Sequence, residues 1–488
     1  MNLSLRKYQM EGVSAIRERI ALGDKVICYQ GPTAMGKTRI FSYITYHADK
    51  RGNVTWIILH RKELLRQAHD ALTELGVPHG LISPNYTPDV FAPTQVASID
   101  TLKNRYTKLL LPKLIIVDEF HHSVSPGWFK VLRYFMERGT RIIGFTATPA
   151  RLDQKGLGKE FGGLCDSLIV GPQPQELITQ GFLAPPRIFH PTLASPENLH
   201  QQFGEFKRDE ADAMMDTPKI IGDAVQWYSK ICPNIPTIVF VPSLKMAAHV
   251  ETQYRAAGYQ AAMIDGTMSD TERKQRLTAL GGGGLHILIS CQLIDEGVDV
   301  PIVEGIQLLS PTASVTRFLQ RCGRGARMFP GKKAYYLLDH VCSTFRQNME
   351  INHGDPSWDR EWSLEGIVKR KKNVEDNGPL YTQCPSCFRT HPKAPACPYC
   401  GFVQVSDGRT IEQVDGNPHE IDPAVLASLR DAEANKAKMF RQREEGMCKT
   451  LDEWKALADK RGYSPGWAQI RYNLRKQRTR AAAPELQF

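Results

Sequence analysis

Up to residue 345 the chain alternates two patterns of hydrophobic and polar positions. Residues 25–30 (KVICYQ), 54–60 (VTWIILH), 114–119 (LIIVDE) and 142–148 (IIGFTAT) are short, nearly continuous apolar runs rich in β-branched side chains. Such runs predict strands of a parallel sheet, buried on both faces. Residues 61–75 between two of them have helical apolar spacing. A second series follows at 237–241 (TIVFV), 261–265, 286–291 (HILISC), 305–309 and 334–339. Strands alternating with helices predict two consecutive α/β domains.

The boundaries follow from where the pattern breaks. Residues 1–155 form a first domain and 221–345 a second. Between them, 156–220 reads as a connecting segment, rich in Gly and Pro at 156–184 and helical and polar at 197–219. The glycines at 281–284 read as a flexible turn before a strand. Beyond 345 the alternation stops, leaving a polar linker at 346–379, a cysteine-bearing module at 380–404 and a charged, helical tail at 405–488. The KRKK run at 369–372 reads as a solvated part of that linker.

Candidate chemistry begins at the end of the first predicted strand. Gly31, Pro32, Thr33, Ala34, Met35, Gly36, Lys37 and Thr38 (GPTAMGKT) satisfy G-x-x-x-x-G-K-[ST] in a strand-then-helix setting. Glycines let backbone N–H groups wrap a phosphate at a helix amino end, where the dipole also favours negative charge. Lys37 would reach the β- and γ-phosphates, and Thr38 would ligate Mg²⁺. The LIIVDEFHHSV stretch gathers Asp118, Glu119, His121 and His122 into five positions. A phosphate-bound Mg²⁺ takes an acidic ligand at a neighbouring strand end, which fits Asp118. Glu119 can then polarise the attacking water. A metal cage is the rival reading, but adjacent histidines diverge on a strand and on a helix.

Together these motifs resemble superfamily 2 helicases and translocases of the DExH type, and the resemblance runs over roughly residues 3–340. LRKYQ, with Arg6 and Gln9, resembles the adenine-reading motif ahead of the phosphate loop. LHRKELLRQ (59–67), VASIDTL (96–102), DEFH (118–121) and FTATP (145–149) follow in the family's order. So do IVFVPSLKMA (238–247), ISCQLIDEGVDVP (289–301) and QRCGRGAR (320–327). The resemblance implies two tandem RecA-like domains with ATP and Mg²⁺ between them. It implies that Gln9 reads adenine, and that His121, Thr146 and Thr148 couple hydrolysis to the strand path. Gln320, Arg324 and Arg327 would cross the cleft, the two arginines stabilising charge on the γ-phosphoryl. Gly297 and Asp299 would touch the ribose and the arginines, and Arg61, Ser98, Thr101 and Ser243 would face nucleic acid. His122 reads as a structural hydrogen-bonding residue.

Composition narrows the class further. At 42% hydrophobic and 23% charged, the chain is that of a soluble globular protein, and its formal net charge of +10 favours a polyanionic partner. No apolar run approaches the roughly 18 residues of a membrane span, and MNLSLRKYQM lacks a secretory core. A cytoplasmic setting, in a bacterium or a phage-infected cell, is therefore expected, with no membrane partner. Seven of the eleven cysteines are scattered; the others form two Cys-x-x-Cys pairs, Cys384 with Cys387 and Cys397 with Cys400. That pattern predicts a zinc ribbon, a structural Zn²⁺ site closed by four thiolates. Residues 460–480 carry seven cations and no acid, with Tyr463, Trp467 and Tyr472 interleaved. A nucleic-acid contact and a packed helical pair with a basic outer face both fit. The whole arrangement resembles bacterial RadD-type repair helicases and related phage enzymes. The expected function is an ATP-dependent DNA helicase or translocase, in repair, recombination or replication, with a protein partner at the C-terminal region. An RNA-directed ATPase and a nucleotide-gated recruitment module are the rivals. The oligomeric state stays open.

Overall fold

The computed structural model describes residues 4–84, 86–87, 89, 91–149, 156–190, 196, 199–202, 204–291, 300–345 and 352–365. It also describes 381–383, 390–392, 396, 401–403 and, in the tail, 427–428, 430–431, 444–445, 448, 450–461, 466–469 and 471–473. The first domain opens with α1 (Lys7–Ala21), β1 (Val26–Gln30), α2 (Lys37–Asp49), β2 (Thr55–Leu59) and α3 (Lys62–Glu74). It continues through β3 (His79–Ile82), β4 (Thr94–Ser98), α4 (Ile99–Leu102), β5 (Leu114–Asp118), α5 (Pro126–Glu137), β6 (Arg141–Thr146) and β7 (Ser167–Val170). These strands make one seven-stranded sheet in the order β3-β4-β2-β5-β6-β1-β7, every pairing parallel. Its two faces carry separate cores. Along β2, Ile57 and Leu59 join the core that includes Ile40, Phe41 and Leu65, while Trp56 and Ile58 join Trp128, Leu132 and Phe135. Burial on both faces is why the sequence runs are continuous rather than alternating.

After α6 (Pro174–Thr179) the chain enters a second sheet at β8 (Pro186–Phe189). A short hairpin, β9 (Gln201–Gln202) with β10 (Glu205–Phe206), precedes α7 (Arg208–Met215) and α8 (Pro218–Ile231). The remaining elements are β11 (Thr237–Phe240), α9 (Leu244–Ala256), β12 (Ala261–Ile264), α10 (Asp270–Gly281), β13 (Ile287–Ser290), β14 (Gly305–Leu308), α11 (Val315–Gly325) and β15 (Tyr335–Asp339). Six strands in the order β12-β13-β11-β14-β15-β8 form a second all-parallel sheet.

Two expectations need correction. Residues 156–220 are not simply a connector, because they add an edge strand to each sheet, β7 to the first and β8 to the second. Residues 197–219 are not uniformly helical either, since β9 and β10 form a hairpin before α7 begins. The described part of the expected linker, 352–365, is packed. The Gly158 N–H donates to the Leu364 carbonyl (3.1 Å), and the Gln175 amide donates to Ser357 O (2.9 Å). His353 meanwhile stacks on Phe318 of α11 at 5.1 Å.

Antiparallel β16 (Tyr381–Gln383) and β17 (Thr390–Pro392) follow. Gly297, Asp299, the run at 369–372, and Cys384, Cys387, Cys397 and Cys400 lie outside the described residues. Residues 422–488 form a compact unit of their own, containing α12 (Leu451–Lys460). Among the described residues no helix is long and apolar enough to cross a membrane.

Candidate active site

Strand order builds the site. β1 pairs with β6, and β6 with β5, so Gln30 lies opposite Thr146 and Asp118 opposite Phe145. Three sequence-distant motifs therefore leave the carboxyl edge of one sheet side by side, the usual ligand position in parallel α/β folds. The Gly31 N–H donates to the Thr146 carbonyl (2.9 Å), joining the first and third of them.

From Gly31 the chain turns sharply into α2. Ala34 and Gly36 have φ of 71° and 87°, and at Gly36 the lack of a Cβ makes that conformation cheap. A Cβ on Gly31 would strike the Met35 sulfur. Pro32, Thr33 and Thr38 are half-buried along the loop and the head of α2. The Lys37 ammonium folds back to donate to Gly31 O (3.0 Å) and Pro32 O (3.4 Å). Burial lowers its pKa, and Arg324 and Arg327 push the same way against Glu119 and Asp118.

The loop is held from behind by α1. Tyr8 donates to Met35 O (2.8 Å), and the Gln9 amide donates to Met35 O (3.2 Å) and more weakly to Gly36 O (3.5 Å). Gln9 also accepts from the Arg6 N–H (3.0 Å), so its NH2 end supports the loop while its oxygen caps the start of α1. Arg6 lies over the Phe182 ring at 4.3 Å.

Asp118 is buried at the end of β5, and burial, with Glu119 beside it, pushes its carboxyl up to about 7. Its Oδ1 accepts from the Glu119 N–H (3.0 Å). Glu119 has φ 50°, a left-handed turn that leads straight into the next helical turn. Its carboxylate lies 3.4 Å from His121 Nδ1, which is 3.1 Å from Thr146 Oγ1. Thr146 Oγ1 donates to Thr148 O (3.0 Å), and the Thr148 hydroxyl meets the Thr316 hydroxyl at 2.8 Å. Thr316 belongs to α11, so a buried polar chain runs from Glu119 into the second domain. His122 goes elsewhere, with its ring against His60 (4.7 Å) and stacked towards Trp128 (6.5 Å). The two histidine rings stay in contact, 4.2 Å apart, rather than diverging as adjacent side chains were expected to, but only His121 enters the polar chain.

The same helix delivers Gln320 and Arg324, both buried. Gly323 lies so close to the phosphate loop that a Cβ would collide with Thr33. Arg327 follows α11, where its backbone bridges to Leu183. A second cross-domain tie joins Arg273 of α10 to Glu63 of α3.

The expected nucleic-acid residues are more scattered. Arg61, Ser98 and Thr101 are half-buried where β2 and β4 end, and Arg61 Nε donates to His60 (3.3 Å). Ser243 caps α9, accepting from Met246 N (3.0 Å). In the tail, Trp467 and Tyr472 pack on a small core of Cys448, Trp454, Leu457, Ala458 and Ala468. Arg461 is paired with Glu444 and Glu445 (2.9 and 2.8 Å). Trp467 and Tyr472 thus pack within a helical unit, and Tyr463 lies outside the described residues.

Comparison with known proteins agrees with this geometry. Residues 2–151 match the family described as type III restriction enzyme, res subunit, and residues 224–329 match the helicase conserved C-terminal domain. The chain belongs to the superfamily 2 helicases. It is 28% identical over 377 residues to a 51.5 kDa protein of a Lactococcus phage, covering 76% of this chain and 77% of that one. It is also 28% identical over 365 residues to a Schizosaccharomyces pombe protein named for a mitochondrial ATP-dependent helicase, irc3, covering 72% of this chain and 59% of that one. A fragment structure named for the HsdR subunit of a Vibrio vulnificus type I restriction enzyme shares the fold, with a TM-score of 0.53 at 22% identity. That likeness covers 69% of this helicase and 64% of the fragment chain.

The residues that the sequence reading missed are Thr316 and the Thr33–Gly323 contact. Thr316 stands one turn before Gln320, on the same helix face, so its spacing carried the signal. For this ATP-hydrolysing enzyme, Lys37→Ala and Glu119→Gln should each cut nucleic-acid-stimulated ATP turnover by about a hundredfold or more. Circular dichroism and the melting temperature should stay near those of the parent. Parental turnover in either variant contradicts the site.

Proposed function

We propose that this helicase is a DNA-directed motor in which hydrolysis of ATP in the cleft drives movement along DNA or its unwinding. The observation that supports this reading is the buried polar chain Glu119–His121–Thr146–Thr148–Thr316. It joins the water-activating carboxylate to the second domain through a 3.4 Å contact between Glu119 and His121 and then hydrogen bonds of 3.1, 3.0 and 2.8 Å. A change at the γ-phosphate can therefore alter how the domains meet, which is what a stepping motor requires.

In this reading the backbone N–H groups of the Gly31–Lys37 loop cradle the phosphates, with Lys37 on the β- and γ-oxygens. Thr38 and Asp118 would hold Mg²⁺, which would supply positive charge to offset that of the phosphates. The raised carboxyl of Asp118 suits a site that receives a cation. Glu119 takes a proton from the attacking water. Gln320, Arg324 and Arg327 face the γ-phosphoryl, Arg6 and Gln9 lie on the adenine side, and by the family resemblance Gly297 and Asp299 would touch the ribose and the arginines. Like charges about 4 Å apart repel by about 4 kcal/mol at an effective dielectric of about 20. A site that gathers Lys37, Arg324 and Arg327 is therefore built for a polyanion.

The match of residues 2–151 to the res subunit of type III restriction enzymes supports DNA over RNA. Arg61, Ser98, Thr101 and Ser243, where β2, β4 and β11 end, would meet the strand. The setting we favour is DNA repair, recombination or replication, with a protein partner at the C-terminal region. ATP turnover and strand displacement should be compared on single-stranded, duplex and forked DNA and on RNA. DNA should stimulate turnover most, with strand displacement on the fork. Stronger stimulation by RNA makes the protein an RNA-directed ATPase. ATP-dependent retention on DNA with neither movement nor displacement makes it a recruitment module.

We also assign Zn²⁺ to Cys384, Cys387, Cys397 and Cys400. The backbone pairing of Gln383 with Thr390 flanks the first cysteine pair, and the bridge between Ala396 and Val403 flanks the second. Each Cys-x-x-Cys thus falls between paired backbone positions, as a zinc knuckle needs. Elemental analysis should find one zinc per chain in the purified protein and none in Cys384→Ser/Cys397→Ser. Zinc-free parent protein contradicts the assignment.

A further inference from the structure

Helix α11 supplies Thr316, Gln320, Gly323 and Arg324 to the cleft, so its position fixes much of the second domain's contribution to the site. Its two ends carry side chains of opposite charge that no step of hydrolysis uses. At the amino end lies Glu205, brought in from the β9–β10 hairpin more than a hundred positions earlier in the chain. One carboxylate oxygen accepts from the Ala313 N–H (2.6 Å); the other accepts from Thr312 Oγ1 (2.6 Å) and the Arg317 guanidinium (2.8 Å). The contacts thus reach from the loop before the helix into its first turn.

At the carboxyl end lies Lys332, only 4% exposed. Its ammonium donates to Gly325 O, the last residue of α11, and to Val303 O, just ahead of β14, both at 2.5 Å. Two backbone carbonyls hold this buried cation. A lysine is rarely buried without a carboxylate partner, so a definite positional role is the natural reading. An anion at the amino end and a cation at the carboxyl end are also the arrangement that the helix dipole favours.

We infer that Glu205 and Lys332 are positioning residues for ATP hydrolysis, clamping the two ends of α11 so that Gln320, Arg324 and the following Arg327 stay aimed at the phosphate loop. Both act through the helix and neither touches the nucleotide. The clamp also explains the β9–β10 hairpin, which anchors at α11 through Glu205. Val303 follows the stretch at 289–301, so Lys332 ties the exit of one helicase motif to the end of the next. Burial pulls the Lys332 ammonium down to about 8, with Glu304 opposing and Arg327 reinforcing the fall. Above that pH the carboxyl-end grip loses its charge and is held only by the weaker neutral N–H donors, so it is strong below about 8 and weakened above it.

The inference rests on the reading that Arg324 and Arg327 face the γ-phosphoryl, so Arg324→Ala serves as the reference. In the full chain, kcat and the KM for ATP should be measured at saturating DNA, from below to above pH 8, for Glu205→Gln, Lys332→Met, Lys332→Arg and Arg324→Ala. Misaiming a catalytic group by about 1 Å can cost about a hundredfold in rate. Glu205→Gln and Lys332→Met should lower kcat by about tenfold to a hundredfold with KM nearly unchanged. The parent's kcat should fall as pH rises through 8. Lys332→Arg, with a permanent cation, should lose that fall. Normal kcat in Glu205→Gln and Lys332→Met beside an inactive Arg324→Ala overturns the clamp alone. Normal turnover in Arg324→Ala overturns the clamp and the arginine reading together. Should Lys332→Met not fold, Glu205→Gln and the pH profile of Lys332→Arg decide, an unchanged alkaline fall counting against the clamp.

Discussion

Thr148 and Thr316 share one hydrogen bond between hydroxyls, 2.8 Å long and buried, and the two halves of the candidate site meet there. On one side the chain runs back through Thr146 and His121 to Glu119. On the other, Thr316 heads the helix that bears Gln320, Gly323 and Arg324. Hydroxyls suit such a junction because each can donate or accept, so the bond can reverse or break at little cost. A salt bridge in the same place would be harder to exchange during a cycle. The Glu63–Arg273 pair lies nearer solvent and ties the domains at α3 and α10 instead.

Everything upstream of that bond follows from strand order. Had β5, β6 and β1 not been neighbours, Asp118, Thr146 and the phosphate loop could not share one sheet edge. Small residues then permit the approach: Gly144 of β6 admits the Phe120 ring beneath the Glu119 turn, and Gly323 admits Thr33. The segments outside the two sheets support the same cleft. Residues 352–365 pack on α11 through His353 and reach the first domain at Gln175 and Gly158. Arg360 N–H donates to Gln173, whose amide donates to Gln30, at the root of the phosphate loop (3.3 and 3.2 Å).

Much of this was legible in the sequence where physics is local. The central strands announced themselves because burial on both faces demands continuous apolar runs, and the observed β1, β2, β5 and β6 differ by only a residue or two from expectation. The phosphate loop and Asp118–Glu119 were readable because their chemistry sits in consecutive residues. Edge strands were not. In β3 and β7 burial is partial, and a sequence such as His79–Ile82, with a glycine in it, carries no clear period. The Thr148–Thr316 bond joins residues 168 positions apart, which no local pattern encodes. Trp467 and Tyr472 show the opposite difficulty. Aromatic residues among cations suit base stacking and core packing equally, and only the fold reveals that Trp467 and Tyr472 pack beside Trp454 and Ala468.

The most direct measurement of the central claim is a double-mutant cycle of Thr148→Val and Thr316→Val, read as DNA displaced per ATP hydrolysed. If the hydroxyl pair carries the coupling, each single variant keeps turning over ATP but loses displacement. The double variant should then be no worse than either, with a coupling energy of about 0.5–3 kcal/mol. Fully additive losses, or singles that displace DNA as the parent does, would contradict the account.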